Sequence, residues 1–490
     1  MRVLIALLTF AIAAPAAPAG WRRVDSPHFI IVGDASADAL RATAAKFEGF
    51  REALRRVLPA ATTSEPVPTV VVVFPTDAAF TPFKPLYHGK TKTAIAGYAT
   101  AGLDVNYIAM RNDGGDSDRL IFHEYTHMIV ANAVAKAPVW LNEGLAEFYS
   151  TFALVDGGRR AQIGRPVADH LRRLNGTLPV PLTDLLKVDI ASPVYNEDDR
   201  ASGFYAESWA LTHMLISDRP SRVPELGEYL RRVSDGASEI DAWQQVFGTQ
   251  TEADLRRYLR RRDFATTVVD LPGTVAAPPS TDEALSPAEA AAFLAALQLR
   301  HRGPDVAAQL LEPALDGDPS SALANVTMAQ IALARGDGAG AATRLTAMTR
   351  TGDWFTVYKI ALALAQTADL AHGTRASHDV LARASRLLAQ VRRSRPDLAN
   401  IPAELAKIAA AGDDVPTAAA FADIARARAL APGRIDYALT EAELFADAGD
   451  FDRARSIIGP LLTSTYPEDV RNSARRLMAG LVELEKAAGK

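Results

Sequence analysis

Short apolar runs alternate with a longer helical pattern over the first quarter of the chain. HFIIVGD (28–34) and PTVVVVFP (68–75) have the length and composition of strands, and the second run is apolar enough to be fully buried. ADALRATAAKFEGFREALRRVL (37–58) repeats its apolar residues with helical spacing, and AIAGYATAGLDVNYIAMR (94–111) has the pattern of a hairpin. These patterns predict an α/β region over residues 20–112.

A mainly helical region is predicted over residues 113–270. DRLIFHEYTHMIV (118–130) provides the apolar body of its first helix. Ala137-Pro138 ends this helix, because the residue before a proline avoids the helical conformation. A second apolar helix, which contains WLNEGLAEF (140–148), follows at once.

The two helices carry residues that suit a metal ion. His123 and His127 are four residues apart, so they share one helix face and can hold one metal. Glu124 can reach a metal-bound water, and zinc lowers the pKa of such a water to about 7. Glu143 supplies a third ligand, and Glu147 follows on the same face. The set predicts a zinc hydrolase, most often a peptidase. The alternative is a pair of buried histidines with solvated glutamates.

Three segments resemble those of the gluzincin metallopeptidases, the group of thermolysin and the aminopeptidase N family. They are HEYTH (123–127), WLNEGLAEF (140–148) and FYAESWALTHML (204–215). The likeness is greatest to bacterial peptidase-MA-like domains, which pair this core with helical repeats. It is specific over residues 118–150 and weaker to about residue 265.

The resemblance implies an α+β zincin-like domain that binds Zn²⁺. His123, His127 and Glu143 would be the zinc ligands, and Glu124 would be the general base. Glu147 would brace a ligating histidine, since a carboxylate fixes the imidazole tautomer. Asn142 could assist, or it could simply start the helix.

Two features depart from the aminopeptidase N pattern. The spacer between His127 and Glu143 has 15 residues, which is shorter than in that family. No GxMEN-like segment is present to capture a free amino terminus, so aminopeptidase activity is unsupported.

A hydrolase of this kind also needs a donor to the developing oxyanion. Tyr205 is the candidate, because it lies 62 residues after Glu143 in a segment similar to the downstream tyrosine segment of the aminopeptidase N family. The alternative is an aromatic residue that packs on an amphipathic helix. His213 is the reserve candidate. In gluzincins an edge strand beside the active-site helix can bind substrate, and VNYIAM (105–110) is the strand expected to do so here.

A second, all-helical region is predicted beyond the Pro-rich linker LPGTVAAPPSTDEALSP (271–287). Residues 288–490 are rich in Ala, Leu and Arg, with breaks near 302–303, 335–337, 367–373, 411–414 and 448–450. This period fits about five helix pairs of a tetratricopeptide-like (TPR-like) solenoid with a terminal helix from Glu468. A plain helical bundle is the alternative. Repeats of this kind generally bind a peptide or a partner protein.

The N-terminal pattern and the composition indicate where the protein is located and which kinds of partner it lacks. Residues 1–19 have the pattern of a signal peptide, with Arg2 before an apolar run and Ala17-Pro18-Ala19 as a cleavage site; an uncleaved anchor is the alternative. The chain has no cysteine, and its net charge is −5 without a long basic run. We therefore expect a bacterial periplasmic or secreted protein with no nucleic-acid partner and no stable membrane span.

The sequence thus predicts an exported zinc metallopeptidase with a repeat domain that recruits a substrate or partner. One alternative is a non-catalytic zincin-fold scaffold that acts through its repeats. Another is a zinc hydrolase of a different amide, such as a cell-wall peptide.

Overall fold

The computed structural model describes most of the chain after residue 19. The described residues are 20–57, 66–87, 90–91, 95–112, 116–133, 137–189, 192–196, 198–273, 280–348, 351–369, 375–411, 416–463, 466 and 468–487. The predicted signal peptide lies outside them. Within these ranges, no helix is long and apolar enough to cross a membrane.

The first part of the chain is mixed α/β, as predicted. Its elements are β1 (Arg22–Asp25), β2 (Phe29–Gly33), α1 (Ala37–Val57), β3 (Thr69–Phe74), α2 (Asp77–Phe80), β4 (Leu86–Tyr87), β5 (Lys90–Thr91), β6 (Gly97–Thr100) and β7 (Asn106–Arg111). The two predicted strands, the helix and the hairpin are all confirmed. β1 was not predicted, because its four residues are too few and too polar to show a strand pattern.

Six strands form the main sheet in the order β11-β1-β2-β3-β7-β6, where β11 is Glu283–Ala284. β2, β3 and β7 run parallel, and β6 pairs antiparallel with β7. The prediction that VNYIAM forms the edge strand is therefore wrong. β7 has a partner on each side, and the preceding arm of the same hairpin, β6, lies at the edge beside the helix that carries His123 and His127. β11 lies inside the predicted linker 271–287, so part of that segment belongs to the sheet.

Both faces of the sheet are buried. Alternate residues of a strand point to opposite faces, so Val71 and Val73 face α1, whereas Val70 and Val72 face helices from the C-terminal half of the chain. Strands covered on both faces read as continuous apolar runs, and this explains the four consecutive valines of β3.

The middle of the chain is mainly helical. Its elements are α3 (Asp116–Ala133), α4 (Val139–Ser150), β8 (Ala153–Val155), β9 (Arg160–Ile163), α5 (Ala168–Leu174), α6 (Leu182–Leu185), α7 (Pro193–Asn196), α8 (Asp198–His213), α9 (Val223–Ser234), α10 (Glu239–Phe247), α11 (Thr251–Leu259) and β10 (Thr267–Asp270). The two predicted helices are α3 and α4. The strands β8, β9 and β10 form a separate small sheet next to α1.

The C-terminal region is helical throughout its described residues. It contains α12 (Pro287–His301), α13 (Pro304–Gly317), α14 (Ala322–Ala334), α15 (Gly338–Ala347), α16 (Trp354–Asp369), α17 (Arg375–Ser394), α18 (Asn400–Ala410), α19 (Ala418–Leu430), α20 (Ile435–Asp447), α21 (Phe451–Ile458) and α22 (Glu468–Ala487). The predicted breaks at 302–303, 335–337 and 448–450 fall between helices, and the other two lie partly outside the described residues.

These helices pack directly on the α/β region. The Tyr358 hydroxyl donates to the Asp104 carbonyl at 2.9 Å, and the Asn400 amide N–H donates to the Pro66 carbonyl at 2.7 Å. In the turn between α19 and α20, the Gly433 N–H donates to the Asn132 carbonyl at 2.9 Å. A Cβ at Gly433 would lie 2.1 Å from the Ala131 carbonyl oxygen. The C-terminal region therefore reaches the last turn of α3, the helix that carries the histidines.

Candidate metal centre

Helix α3 divides its side chains between the core and an open cleft. Phe122 and Tyr125 are buried, and Phe122 stacks on Phe50 of α1 with ring centroids 4.5 Å apart. Residues one or two positions further on point to the opposite side of a helix with 3.6 residues per turn. The side chains of His123, Glu124 and His127 consequently face away from this aromatic cluster.

Three ligand atoms converge between α3 and α4. The Nε2 atoms of His123 and His127 are 3.1 Å apart, and each lies 3.4 Å from Oε2 of Glu143. The Glu143 side chain is only 4% exposed, whereas those of His123 and His127 are 15% and 23% exposed. The triangle therefore has one buried corner, at Glu143, and two partly exposed corners, at His123 and His127.

The triangle fits a zinc ion. Zinc–ligand bonds of about 2.0–2.1 Å in a tetrahedral site put neighbouring ligand atoms about 3.3 Å apart, close to the distances found here. Oε2 of Glu143 is buried and forms no hydrogen bond within the described residues. A buried carboxylate oxygen without a donor is costly, and a bound cation would satisfy it. The donor set of two imidazoles and one carboxylate is also one that zinc accepts.

Glu147 holds the far side of His123. Its Oε1 lies 3.4 Å from Nδ1 of His123, while its Oε2 accepts from the Arg119 guanidinium at 2.7 Å and lies 2.9 Å from Nε2 of His170. Because Glu147 occupies the Nδ1 side, Nε2 of His123 is left to face the metal position. This arrangement corresponds to the bracing role that the resemblance implies.

The charges in this group depend on one another. Burial disfavours the imidazolium form of His123, but the neighbouring Glu143 and Glu147 carboxylates, each 3.4 Å away, outweigh burial and raise its pKa to about 10. Burial likewise favours neutral Glu143, yet the two histidines lower the pKa of its carboxyl to about 2. The buried carboxylates thus hold positive charge at the centre, as a proton on His123 or as a bound cation.

Helix α8 packs closely against α4, the helix that carries Glu143. A Cβ at Gly144 would lie 2.2 Å from Oγ1 of Thr212 and 2.5 Å from the backbone oxygen of Ser208, so α4 and α8 can approach this closely only at a glycine. Tyr205 lies on α8, with its ring centroid 6.4 Å from that of His123. The glycine of the sequence Asn-Glu-Gly therefore positions one helix against the other.

A tyrosine that sequence analysis did not identify contacts the third candidate ligand. The Tyr195 hydroxyl donates to Oε1 of Glu143 at 2.9 Å, and the Tyr195 ring centroid lies 6.2 Å from that of Tyr205. Burial and the Glu143 charge raise the pKa of Tyr195 to about 12, so its hydroxyl stays a donor. Tyr195 lies in the short helix α7, 52 residues after Glu143, and no local motif marks it.

Glu124 and Tyr205 border one cleft. Its volume is about 310 Å³, and its lining also includes His123, Glu147 and Arg119. Burial and the Glu143 carboxylate raise the pKa of Tyr205, so its phenol remains protonated and able to donate. The cleft thus brings together the candidate base, the candidate oxyanion donor and one edge of the metal position.

Two other candidates lie elsewhere. Both ring nitrogens of His213 are engaged inside the protein, one with the Gly164 carbonyl at 2.6 Å and the other with the Tyr258 hydroxyl at 2.5 Å. Burial lowers the pKa of His213 to about 4, and the residue is part of the core rather than of the cleft. Oδ1 of Asn142 is buried without a hydrogen bond to any described residue, and Asn142 does not line the cleft.

One family of known sequences matches the part of the chain that contains this centre. Residues 119–237 match a family described as proteins of unknown function, DUF1570. The matched segment is less than half of the chain, and it contains the candidate ligands together with Tyr195 and Tyr205. No curated protein matches the chain.

Proposed function

We propose that this protein is a zinc-dependent peptidase whose zincin-like domain is related to the gluzincins. The observation that carries the proposal is the convergence of Nε2 of His123, Nε2 of His127 and Oε2 of Glu143 at tetrahedral zinc spacing beside a cleft that contains Glu124 and Tyr205. A purely structural zinc site would need neither of the last two residues.

The chain's own groups suit hydrolysis of an amide. A zinc ion in this site would supply Lewis-acid activation of water and of the substrate carbonyl. Glu124 accepts the proton of the attacking water and passes it to the leaving nitrogen. The Tyr205 phenol donates to the oxygen that becomes negative as the carbonyl is attacked. Arg119, through Glu147, keeps His123 in one orientation.

The C-terminal helices would serve recruitment. We propose that they form a TPR-like solenoid that holds the substrate or a partner protein, and that the whole chain is exported to the periplasm or secreted. The helix pairs on either side of the Gly303, Gly336 and Gly449 turns support the first part, and the residue 1–19 pattern supports the second. The edge strand β6, next to α3, replaces β7 as the strand expected to pair with an extended substrate.

The test is zinc content and cleavage of a mixed peptide library, with wild type beside Glu124→Gln. Zinc should bind one to one in both proteins, while kcat/KM should fall by about 10²–10⁴ in Glu124→Gln, because general-base catalysis contributes that much. His123→Ala, which removes a ligand, should lose zinc as well as activity.

Other outcomes would redirect the proposal. Cleavage at the wild-type rate by Glu124→Gln would overturn the mechanism. Zinc binding without cleavage of any peptide would favour the non-catalytic zincin-fold scaffold. If cell-wall peptides were cut instead, the protein would be a zinc hydrolase of another amide. An absence of zinc binding would overturn the metal assignment.

A further inference from the structure

A second cavity opens beside the metal cleft. Its volume is about 980 Å³, and it lies between α1, the first turn of α3, the end of α4 and the segment that leads into α5. Arg119 and Ser150 line both this cavity and the 310 Å³ cleft. The two spaces therefore adjoin at Arg119 and Ser150.

Three buried apolar side chains form part of the wall of the second cavity. Phe122, Phe152 and Val167 are buried residues that line it, and the rings of Phe122 and Phe152 meet edge to face at 5.0 Å. Such a surface can bury the apolar side chain of an extended peptide.

Cations border the same cavity, and two of them already have partners. Lys46 is paired with Asp118 at 2.7 Å, and Arg119 is paired with Glu147 at 2.7 Å. Of the two carboxylates in the lining, Asp118 binds Lys46 and Asp169 is paired with Arg172 outside the cavity.

Arg165 is different, because it is fixed in place but keeps its charge available. Its Nε donates to the Thr151 carbonyl at 3.0 Å and its backbone N–H donates to Oγ1 of Thr151 at 2.9 Å. No carboxylate in the described part of the chain forms an ion pair with it, and the residue is exposed. An anchored guanidinium with free terminal nitrogens is arranged to bind a carboxylate.

We propose that this cavity is a substrate-recognition site that binds a peptide carboxylate at Arg165 and an apolar side chain against Phe122, Phe152 and Val167. The proposal rests on the proposed peptidase function and adds its substrate class: peptides with an acidic group a few residues from the cleaved bond. The carboxylate can come from an aspartate or glutamate side chain or from the end of the peptide chain.

The experiment compares cleavage of a random peptide library by the full-length zinc protein and by Arg165→Glu. The control is Arg173→Glu, which makes the same charge change on the exposed side of α5, outside the cavity. Cut sites are mapped by mass spectrometry in two versions of the library, with free and with amidated C-termini. Wild type and Arg173→Glu should favour acidic residues at one fixed distance from the cut. Arg165→Glu should lose this preference, with kcat/KM on an acidic peptide lower by about tenfold or more through KM.

The two library versions separate the sources of the carboxylate. A preference that survives amidation assigns the group to a side chain, and one that disappears assigns it to the chain terminus. An unchanged cleavage profile in Arg165→Glu, with zinc content and thermal unfolding equal to wild type, would overturn the recognition site while leaving the peptidase intact. Arg165→Lys, which keeps the charge, should retain part of the preference and excludes a folding defect as the cause.

A binding measurement tests the proposed recognition of a carboxylate by Arg165 even if no peptide is cleaved. Fluorescence anisotropy with a labelled peptide that carries one phenylalanine and one glutamate, and with its glutamine counterpart, gives the affinity ratio directly. The ratio should be about tenfold in favour of glutamate for the wild type and about one for Arg165→Glu. Equal ratios in the two proteins would overturn the proposal, whereas failure of cleavage alone would count only against the peptidase function.

Discussion

At the scale of single residues, the neighbouring phenols of Tyr195 and Tyr205 have different proposed roles. Tyr195 donates to the Glu143 oxygen that does not face the metal position, and Tyr205 reaches the cleft. Groups that orient a metal ligand typically contribute about 10–100-fold to metal affinity. We therefore expect Tyr195→Phe to weaken zinc binding by about that factor, measured by competition with a chelator of known affinity.

Tyr205→Phe is the matched comparison, since it removes the same atom from the neighbouring ring. It should bind zinc about as tightly as wild type but lower kcat by about 10²–10³, the usual effect of losing one oxyanion donor. If Tyr195→Phe kept full zinc affinity and lost only kcat, the two assignments would have to be exchanged.

The proton on His123 makes zinc binding depend on pH. Contacts with Glu143 and Glu147 overcome burial and raise the His123 pKa to about 10, whereas zinc needs the neutral imidazole. Below about pH 10, zinc must therefore displace one proton, and its apparent affinity should fall about tenfold for each unit that the pH is lowered.

Zinc titrations at about pH 7, 8 and 9 check this dependence. Glu143 stays ionised throughout, because its pKa is lowered to about 2, so it adds no slope of its own. A flat affinity over this range would mean that His123 has an ordinary pKa near 6.5 and that the carboxylates do not hold its proton.

The sequence predicted the residues of this centre that are close together along the chain. His123, Glu124 and His127 lie within two turns of one helix, so helical spacing brings them together. Glu143 follows on the next helix, α4, which packs on α3. Tyr195 could not be found in this way, since its contact with Glu143 spans 52 residues and depends on how α7 and α8 pack.

At the scale of elements, the contact of α4 with α8 depends on one glycine. Gly144→Ala would place a methyl group 2.5 Å from the Ser208 backbone oxygen, which cannot turn away as a side chain can. The helices must separate, and overpacking of this kind costs about 1–3 kcal/mol of unfolding free energy. Because α8 carries Tyr205, we expect kcat to fall together with stability.

Gly227→Ala provides the matched control. Gly227 lies inside α9, and a Cβ there would meet no atom within 4 Å. This change should raise the unfolding free energy by about 0.5–1 kcal/mol, because alanine favours the helix. Urea unfolding of the two variants is the measurement, and a Gly144→Ala protein as stable as wild type would disprove the close-packing argument.

In the sheet, the sequence pattern predicts which segments form strands but not which strands lie next to each other. The four valines of β3 identified a buried strand, and that prediction was correct. The order of strands is not encoded locally: VNYIAM comes just before the HExxH helix in the sequence, which suggested the edge position, but β6, the less apolar arm of the hairpin, lies at the edge. In the sheet the apolar arm, β7, pairs with β3 and is buried, as its composition would require.

At the scale of the whole molecule, the C-terminal helices are part of the fold that supports the metal centre. Their first seven helices share one apolar core with one face of the sheet. The continuous apolar strands already implied that both faces would be covered, but the Pro-rich segment 271–287 suggested a separate domain. The structure instead shows β11, from within that segment, as a strand of the sheet.

This arrangement predicts that residues 20–273 do not fold alone. Removing the C-terminal helices would expose Val70, Val72, Phe74, Tyr107 and their neighbours, and each large apolar side chain contributes about 1.5–3 kcal/mol when buried. For the four named side chains alone the loss is about 6–12 kcal/mol, which is comparable with a typical unfolding free energy of about 5–15 kcal/mol. We expect an aggregated or non-cooperatively unfolding fragment without stoichiometric zinc.

A chain that ends at residue 463 is the control, because α22 packs on α20 and α21 in a separate cluster that does not include the sheet. That protein should stay monomeric and bind zinc. A monomeric 20–273 fragment with cooperative unfolding would show that the sheet does not need its C-terminal cover, and the repeats could then be an independent recruitment domain. Size-exclusion chromatography, circular dichroism and zinc analysis of the two truncated chains distinguish these outcomes.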